Sequence, residues 1–185
     1  MSTQPLEQAV AATKSVLANV KADHLGMDTP CASWKVSDLI NHVIGAQHFF
    51  ISGLKGTPPA AGGADASAGD YNAEFARSSA ALLDAFKEDG VMEKMITMPF
   101  GTMPGAALAG LAATDTFQHG WDLAKATSQN TDLAPDLAAS LLERSKMAIQ
   151  AGFRGPEGAP FGAELAAPEG SSNADQLAAF LGRTV

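Results

Sequence analysis

The chain has 185 residues, of which 46% are hydrophobic and 17% charged. This composition is typical of one globular domain with a sizeable core, and it excludes a disordered chain. The 12 basic and 20 acidic residues give a net charge of −8, which disfavours nucleic-acid binding. Apolar runs are shorter than a membrane span and no signal peptide is visible, so the simplest interpretation is a cytoplasmic protein with one domain over residues 1–185.

Helical periodicity of the apolar residues predicts four longer helices followed by two shorter ones. The predicted helices cover residues 6–22, 34–52, 71–88, 105–128, 135–150 and 174–181. Ser33, Asp70 and Asn173 are the predicted N-terminal caps of the second, third and last helices, and Pro104 precedes the fourth. The expected fold class is all-α: a four-helix bundle with short additional helices and long connecting loops.

Three segments are predicted to form loops. Residues 53–69 are rich in glycine, proline, alanine and serine, and residues 151–172 are rich in glycine and proline. Residues 95–100 include an apolar stretch that would suit a strand, but Pro99 and Gly101 argue against a central strand. We therefore predict an ordered loop there.

The fourth helix opens with small residues between Gly105 and Gly110, which allow a neighbouring helix to approach closely. Trp121, later in the same helix, is expected to pack in the core. Asp115 and His119 are four residues apart and share one helical face, the spacing that also pairs metal ligands in H-E-x-x-H proteins. Two ligands at this spacing are weak evidence without a third.

His42, in the middle of the apolar second helix, is the candidate third ligand. Metal sites in helical bundles are built from inward side chains of facing helices. Two histidines and one carboxylate form an open set that leaves a position for water or substrate, as in catalytic zinc sites. An ordinary core histidine bonded to a carbonyl or hydroxyl is the alternative for His42, and a bundle with no metal is the corresponding alternative for the whole site.

The other candidate residues have simpler interpretations. His24 lies at a helix end and His48 is about 120° from His42 around the second helix, so both are expected outside the site. Asp122 is placed to orient the ring of His119, or else forms a cap or a surface ion pair. The single cysteine, Cys31, excludes an internal disulfide and is interpreted as a resolving or substrate-contacting thiol, or as an inert small apolar residue.

Four segments together resemble a known family. Residues 29–43 are similar to its opening signature, T-P-C-x-x-W-x-V-x-D-L-x-x-H, and residues 115–127 to its D/E-x-x-x-H-x-W-D-L-A-R-A-T signature. Residues 99–105 and the tail, 177–183, also match. The family is the metal-binding domain of mycothiol-dependent maleylpyruvate isomerase, within the DinB-like four-helix-bundle superfamily.

The resemblance implies a divalent metal, usually zinc, held by His42, Asp115 and His119, with nickel as a second candidate. It also implies a low-molecular-weight thiol such as mycothiol as cosubstrate of a transferase or isomerase acting on an electrophile. Asp115 stands where the isomerase has a glutamate, and the isomerase has a further C-terminal domain. A non-catalytic metal-binding, ligand-binding or stress-associated protein is the alternative function. The apolar content is compatible with a homodimer.

Overall fold

The computed structural model describes residues 2–58, 65–149, 151–155 and 161–185. Within these ranges the chain forms six α-helices and one β-hairpin. The helices are α1 (Gln4–Leu17), α2 (Val36–Lys55), α3 (Tyr71–Lys87), α4 (Gly105–Ala126), α5 (Pro135–Ala148) and α6 (Asn173–Phe180). The strands are β1 (Met95–Met98) and β2 (Gly101–Pro104). The predicted all-α bundle is therefore confirmed, with a small hairpin added.

Helices α1 to α4 form the bundle, and α4 is its central member. It packs along α1 and against α2, while α2 also packs against α3. Most of α4 is buried, including Trp121 at 0% exposure, as its mixture of apolar and small residues predicts. Helices α5 and α6 pack against each other, and α6 also contacts α4. None of the described helices is long and apolar enough to cross a membrane.

Small residues of α4 allow α1 to pack closely against it. Ala109, Ala112 and Ala113 are all buried in the core. At Gly120 the two helices are in close contact, because an added Cβ would lie 2.3 Å from the Oγ1 atom of Thr13. That hydroxyl donates a hydrogen bond of 2.8 Å to the Thr116 carbonyl, so the two helices are joined at this point.

Two predicted helix boundaries were wrong: the C-terminal end of α1 and the N-terminal end of α2. Helix α1 ends at Leu17 and not near residue 22, because the chain tightens there: the Asn19 amide donates to the Val16 carbonyl and the Val20 amide to the Leu17 carbonyl. Helix α2 begins at Val36 and is not capped by Ser33, which has a left-handed φ of 65°. Asp38 instead accepts from the Lys35 amide at 2.9 Å, which satisfies the backbone N–H of the N-cap residue.

The prediction of an ordered loop at residues 95–100 was also wrong. β1 and β2 pair antiparallel, with Met98 opposite Gly101, so Pro99 and Phe100 form the two-residue turn. A proline in the turn has no ladder hydrogen bond to donate, which removes the objection to a strand. Ile96 and Met98 are buried against the bundle.

Other boundaries agree within a few residues. Asp70 caps α3 by accepting from the Ala73 amide at 3.0 Å, as predicted. The predicted cap of α6 was wrong by one residue, since Ser172 accepts from the Asp175 amide. The loop predicted over residues 53–69 begins later, because α2 runs to Lys55, and residues 59–64 of it lie outside the described residues. Residues 156–160 of the predicted coil at 151–172 also lie outside them.

Candidate metal centre

The three predicted ligands come together between α2 and α4. His42 projects from the middle of α2, and Asp115 and His119 project from one face of α4. One ligand atom from each residue lies within 4.8 Å of the other two. The Oδ1 atom of Asp115 is 3.9 Å from Nε2 of His42 and 3.7 Å from Nε2 of His119. Helical spacing within α4 and the α2–α4 contact are together sufficient to build this group.

These separations suit one small cation better than they suit hydrogen bonds. Both carboxylate–imidazole distances exceed hydrogen-bonding range. Two ligands about 2.1 Å from a tetrahedral zinc ion are about 3.4 Å apart, slightly closer than the distances found here. Nε2 of His42 is buried and has no hydrogen-bond partner among the described residues. A buried imidazole nitrogen without a partner, facing a carboxylate and a second imidazole, fits a metal ligand.

Asp122 orients the ring of His119 through the ring nitrogen that faces away from Asp115. Its Oδ2 atom lies 2.9 Å from Nδ1 of His119. The carboxylate is ionised and only accepts hydrogen bonds, so Nδ1 carries the proton and the ring directs Nε2 toward Asp115. This is the carboxylate–histidine arrangement that commonly orients a metal ligand. Because Asp122 is 0% exposed, the alternative of a surface ion pair was wrong.

The Asp122 carboxylate has further donors around it. Arg183 contacts both oxygens, with Nε 3.0 Å from Oδ1 and Nη2 3.3 Å from Oδ2. The Cys31 thiol donates to Oδ2 at 3.2 Å, and Gln118 donates to Oδ1 at 3.3 Å. Cys31 is therefore a buried free thiol that forms hydrogen bonds, which differs from the inert apolar residue of the second interpretation.

The charges around His119 favour a cation at this point. Burial by itself lowers the pKa of His119, but the hydrogen bonds with Asp122 and Cys31 and the charges of Asp115 and Asp122 outweigh it and raise the pKa to about 10. Burial likewise raises the pKa of Asp115, but the nearby imidazoles of His42 and His119 outweigh it, so the pKa is lowered. The same ionised carboxylates that hold a proton on His119 would attract a divalent cation.

Trp34 forms a wall beside both histidines. Its ring centroid lies 4.6 Å from that of His42 and 6.1 Å from that of His119. A tight turn places it there, because the Thr29 hydroxyl lies 3.0 Å from the Trp34 carbonyl and accepts from the Cys31 amide. The turn that precedes α2 thus delivers both Trp34 and Cys31 to the site.

A second group of ligand-type residues, Cys31, His119 and Asp122, also lies within 4.8 Å. Arg183 donates to both Asp122 oxygens and, through Nη2, to the Cys31 sulfur at 3.3 Å. A cation there would meet the guanidinium charge and would have to displace these hydrogen bonds. The group that includes His42 is therefore the better candidate.

The remaining histidines lie outside this group, as expected. The ring of His24 accepts a hydrogen bond from the Lys21 amide at 3.3 Å. His48 is 54% exposed and lies 3.6 Å from a Glu74 carboxylate oxygen.

Sequence reasoning missed Arg183 and Trp34 as members of the site. Both lie inside the matched motifs, but sequence spacing does not indicate that they contact the site. Arg183, for example, is 61 residues from Asp122, the residue that it contacts. Arg183 belongs to the tail that follows α6.

Comparison with known proteins shows the family and the fold of the chain. The model of the mycothiol maleylpyruvate isomerase N-terminal domain family matches residues 6–124. Two uncharacterized proteins of Mycobacterium tuberculosis, from strains H37Rv and CDC 1551, are each 41% identical to the chain, over 100% of it and 97% of their own length. A crystal structure of the mycothiol-dependent maleylpyruvate isomerase superimposes with a TM-score of 0.59 at 18% identity, covering 76% of this chain and 65% of that one. The chain therefore belongs to the mycothiol maleylpyruvate isomerase N-terminal domain family.

Proposed function

We propose that residues 1–185 form one metal-binding helical-bundle domain that uses a low-molecular-weight thiol of the mycothiol type in a transferase or isomerase reaction. The metal ligands are His42, Asp115 and His119, and zinc is the first candidate metal. The observation that carries the proposal is the convergence of their three donor atoms within 4.8 Å, with Nε2 of His42 buried and unpartnered among the described residues.

The mycothiol part of the proposal rests on the family. The solved relative is named as mycothiol-dependent, and the family model bears the same thiol in its description. The chain spans 65% of that isomerase's length, so its substrate is not carried over. We propose only the class, a small electrophile that reacts with a thiol. A homodimer and a cytoplasmic location stay predictions from the sequence.

The residues of the chain prepare the site in distinct ways. With a metal bound in place of the proton on His119, both His42 and His119 would supply neutral nitrogen donors, and Asp115 would supply one negative charge. Asp122 keeps the proton of His119 on Nδ1, away from the centre. Trp34 covers one side of both imidazole rings and restricts access from that side. A divalent metal bound by three protein groups lowers the pKa of a thiol at its open position, which makes the sulfur nucleophilic at neutral pH.

A comparison of two related ligands tests the thiol role. Mycothiol and its S-methyl derivative are titrated calorimetrically into the zinc-loaded protein, into metal-depleted protein and into the His42→Ala variant, with His48→Ala as the control. We expect the free thiol to bind to the zinc-loaded wild type and to His48→Ala, and the S-methyl derivative to bind at least about tenfold more weakly because it cannot lose a proton. Equal binding of the two ligands would contradict a role for the metal in thiol activation.

The alternative is a protein that binds a metal and a thiol without turnover. Mycothiol-dependent isomerisation of maleylpyruvate, and enzyme-dependent attack of the mycothiol sulfur on monobromobimane with release of bromide and the thiol proton, separate the two functions. Thiol-dependent turnover that is lost in His42→Ala supports the enzyme, and tight binding with no turnover supports the alternative.

A further inference from the structure

Arg183 reaches the back of the candidate metal centre from the other end of the chain. Its Nε and Nη2 atoms contact the two oxygens of Asp122 at 3.0 and 3.3 Å, and Nη2 also donates to the Cys31 sulfur at 3.3 Å. The Arg183 side chain is only 18% exposed and Asp122 is 0% exposed. A planar guanidinium that contacts both oxygens fixes the plane of a carboxylate as well as its position.

The end of α6 is built to deliver this side chain. The Gly182 amide donates to the Ala179 carbonyl at 3.0 Å and the Arg183 amide to the Ala178 carbonyl at 2.9 Å, the two hydrogen bonds of a Schellman motif. Gly182 has a left-handed φ of 93°, and a Cβ there would lie 2.7 Å from the Cα of Gly162. Both the turn and the close backbone approach require glycine, so the direction in which Arg183 leaves the helix is fixed.

We propose that Arg183 is a positioning residue of the metal centre: by holding the Asp122 carboxylate at two points, it sets the orientation of the His119 ring. The inference rests on the proposed metal site. The Oδ2 atom of Asp122 lies within hydrogen-bonding distance of His119, Cys31 and Arg183. Without the guanidinium, the carboxylate is free to rotate toward the other donors and carries His119 with it.

Anchoring of the tail does not by itself explain the contacts of Arg183, because a second arginine, Arg154, already anchors the tail. Nη1 of Arg154 donates to the Gly162 carbonyl at 3.0 Å and to the Phe180 carbonyl at 2.8 Å, and its guanidinium lies 4.4 Å from the centre of the Phe180 ring. Arg154 therefore holds the same part of the fold, and it has no described contact with Asp122. It provides a matched control.

The test measures zinc affinity by competition with a chromophoric chelator in Arg183→Met, Arg183→Lys and Arg154→Met. We expect Arg183→Met to lose about 10- to 100-fold in affinity, the usual effect of removing a group that orients a metal ligand, and Arg154→Met to keep wild-type affinity. Arg183→Lys, which restores the charge without the two-point contact, should lie between them. In an Asp122→Asn background, Arg183→Met should lower the zinc affinity by less than about threefold further, because the two residues act through one contact.

Wild-type zinc affinity in Arg183→Met would overturn the proposal. If the methionine variant does not fold, Arg183→Lys replaces it in the test, and wild-type zinc affinity in Arg183→Lys would also overturn the proposal. A second measurement separates this inference from the proposed function. In the metal-free protein, nuclear Overhauser contacts between the His119 ring and the Trp34 and His42 rings should weaken in the Arg183 variants and persist in Arg154→Met. If the wild type binds no zinc, the proposed function fails, and unchanged ring contacts in the Arg183 variants would then overturn the positioning role by themselves.

Discussion

Gly120 and Gly45 form a matched pair of helix-interior glycines with opposite surroundings. A Cβ added at Gly120 would lie 2.3 Å from Oγ1 and 3.2 Å from the Cα of Thr13, whereas a Cβ at Gly45 would meet nothing within 4 Å. Gly120 is also adjacent to His119 on α4, so a displacement of the helix here reaches the candidate metal centre. We therefore predict that alanine at these two positions changes stability in opposite directions.

The magnitudes follow from the contacts. Alanine in place of glycine in a helix interior gains about 1 kcal/mol in both cases. At Gly120 this gain is offset by overpacking of about 1–3 kcal/mol and by loss of the Thr13 hydrogen bond to Thr116, worth about 1 kcal/mol, because the hydroxyl has to move. Gly120→Ala should therefore lose about 1–3 kcal/mol of unfolding free energy, and Gly45→Ala should gain up to about 1 kcal/mol.

Urea unfolding followed by circular dichroism measures both variants against the wild type. Thr13→Ala in the Gly120→Ala background removes the atom of closest approach, so the double variant should lose less stability than the sum of the two single variants. Equal stability of Gly120→Ala and Gly45→Ala would refute the close approach of α1 and α4 at this point.

Three further predictions concern the site and the tail. Because zinc has to displace the proton that His119 holds with a pKa raised to about 10, zinc affinity should rise about tenfold per pH unit from pH 7 to 8, and a flat profile would contradict this. Gly182→Ala should unfold at a lower urea concentration than Gly170→Ala, since both glycines have a left-handed φ but only a Cβ at Gly182 would lie within 3 Å of backbone atoms. The reverse order would exclude this close approach. Trp121→Phe should lose about 1–3 kcal/mol in thermal unfolding because it removes the buried donor to Asp175, 2.8 Å away, and an unchanged melting temperature would count against that bond.

Features determined by local sequence were predicted well. Asp70 caps α3, and apolar periodicity together with Pro104 placed the start of α4 correctly. The pairing of Asp115 with His119 follows from helical spacing alone, because residues four apart share a face.

Features determined by tertiary contacts were predicted poorly. The Val20 carbonyl, just beyond the end of α1, accepts from the hydroxyl of Tyr71, which lies 51 residues away. The orientation of His119 depends on Arg183 through Asp122, and no local pattern connects these residues. The hairpin was missed because the sequence does not show that Pro99 falls in the turn and outside the ladder.

The metal content of the purified, untagged protein, measured by plasma mass spectrometry, tests the central claim most directly. The variants are His42→Ala, His119→Ala and, as a control with an exposed histidine outside the site, His48→Ala. We predict about one equivalent of zinc or another divalent metal in the wild type and in His48→Ala, and its loss in the other two, because three ligands are the minimum for this set. No metal in the wild type after reconstitution, or the same metal content in all four proteins, would contradict the assignment of His42, Asp115 and His119 as ligands.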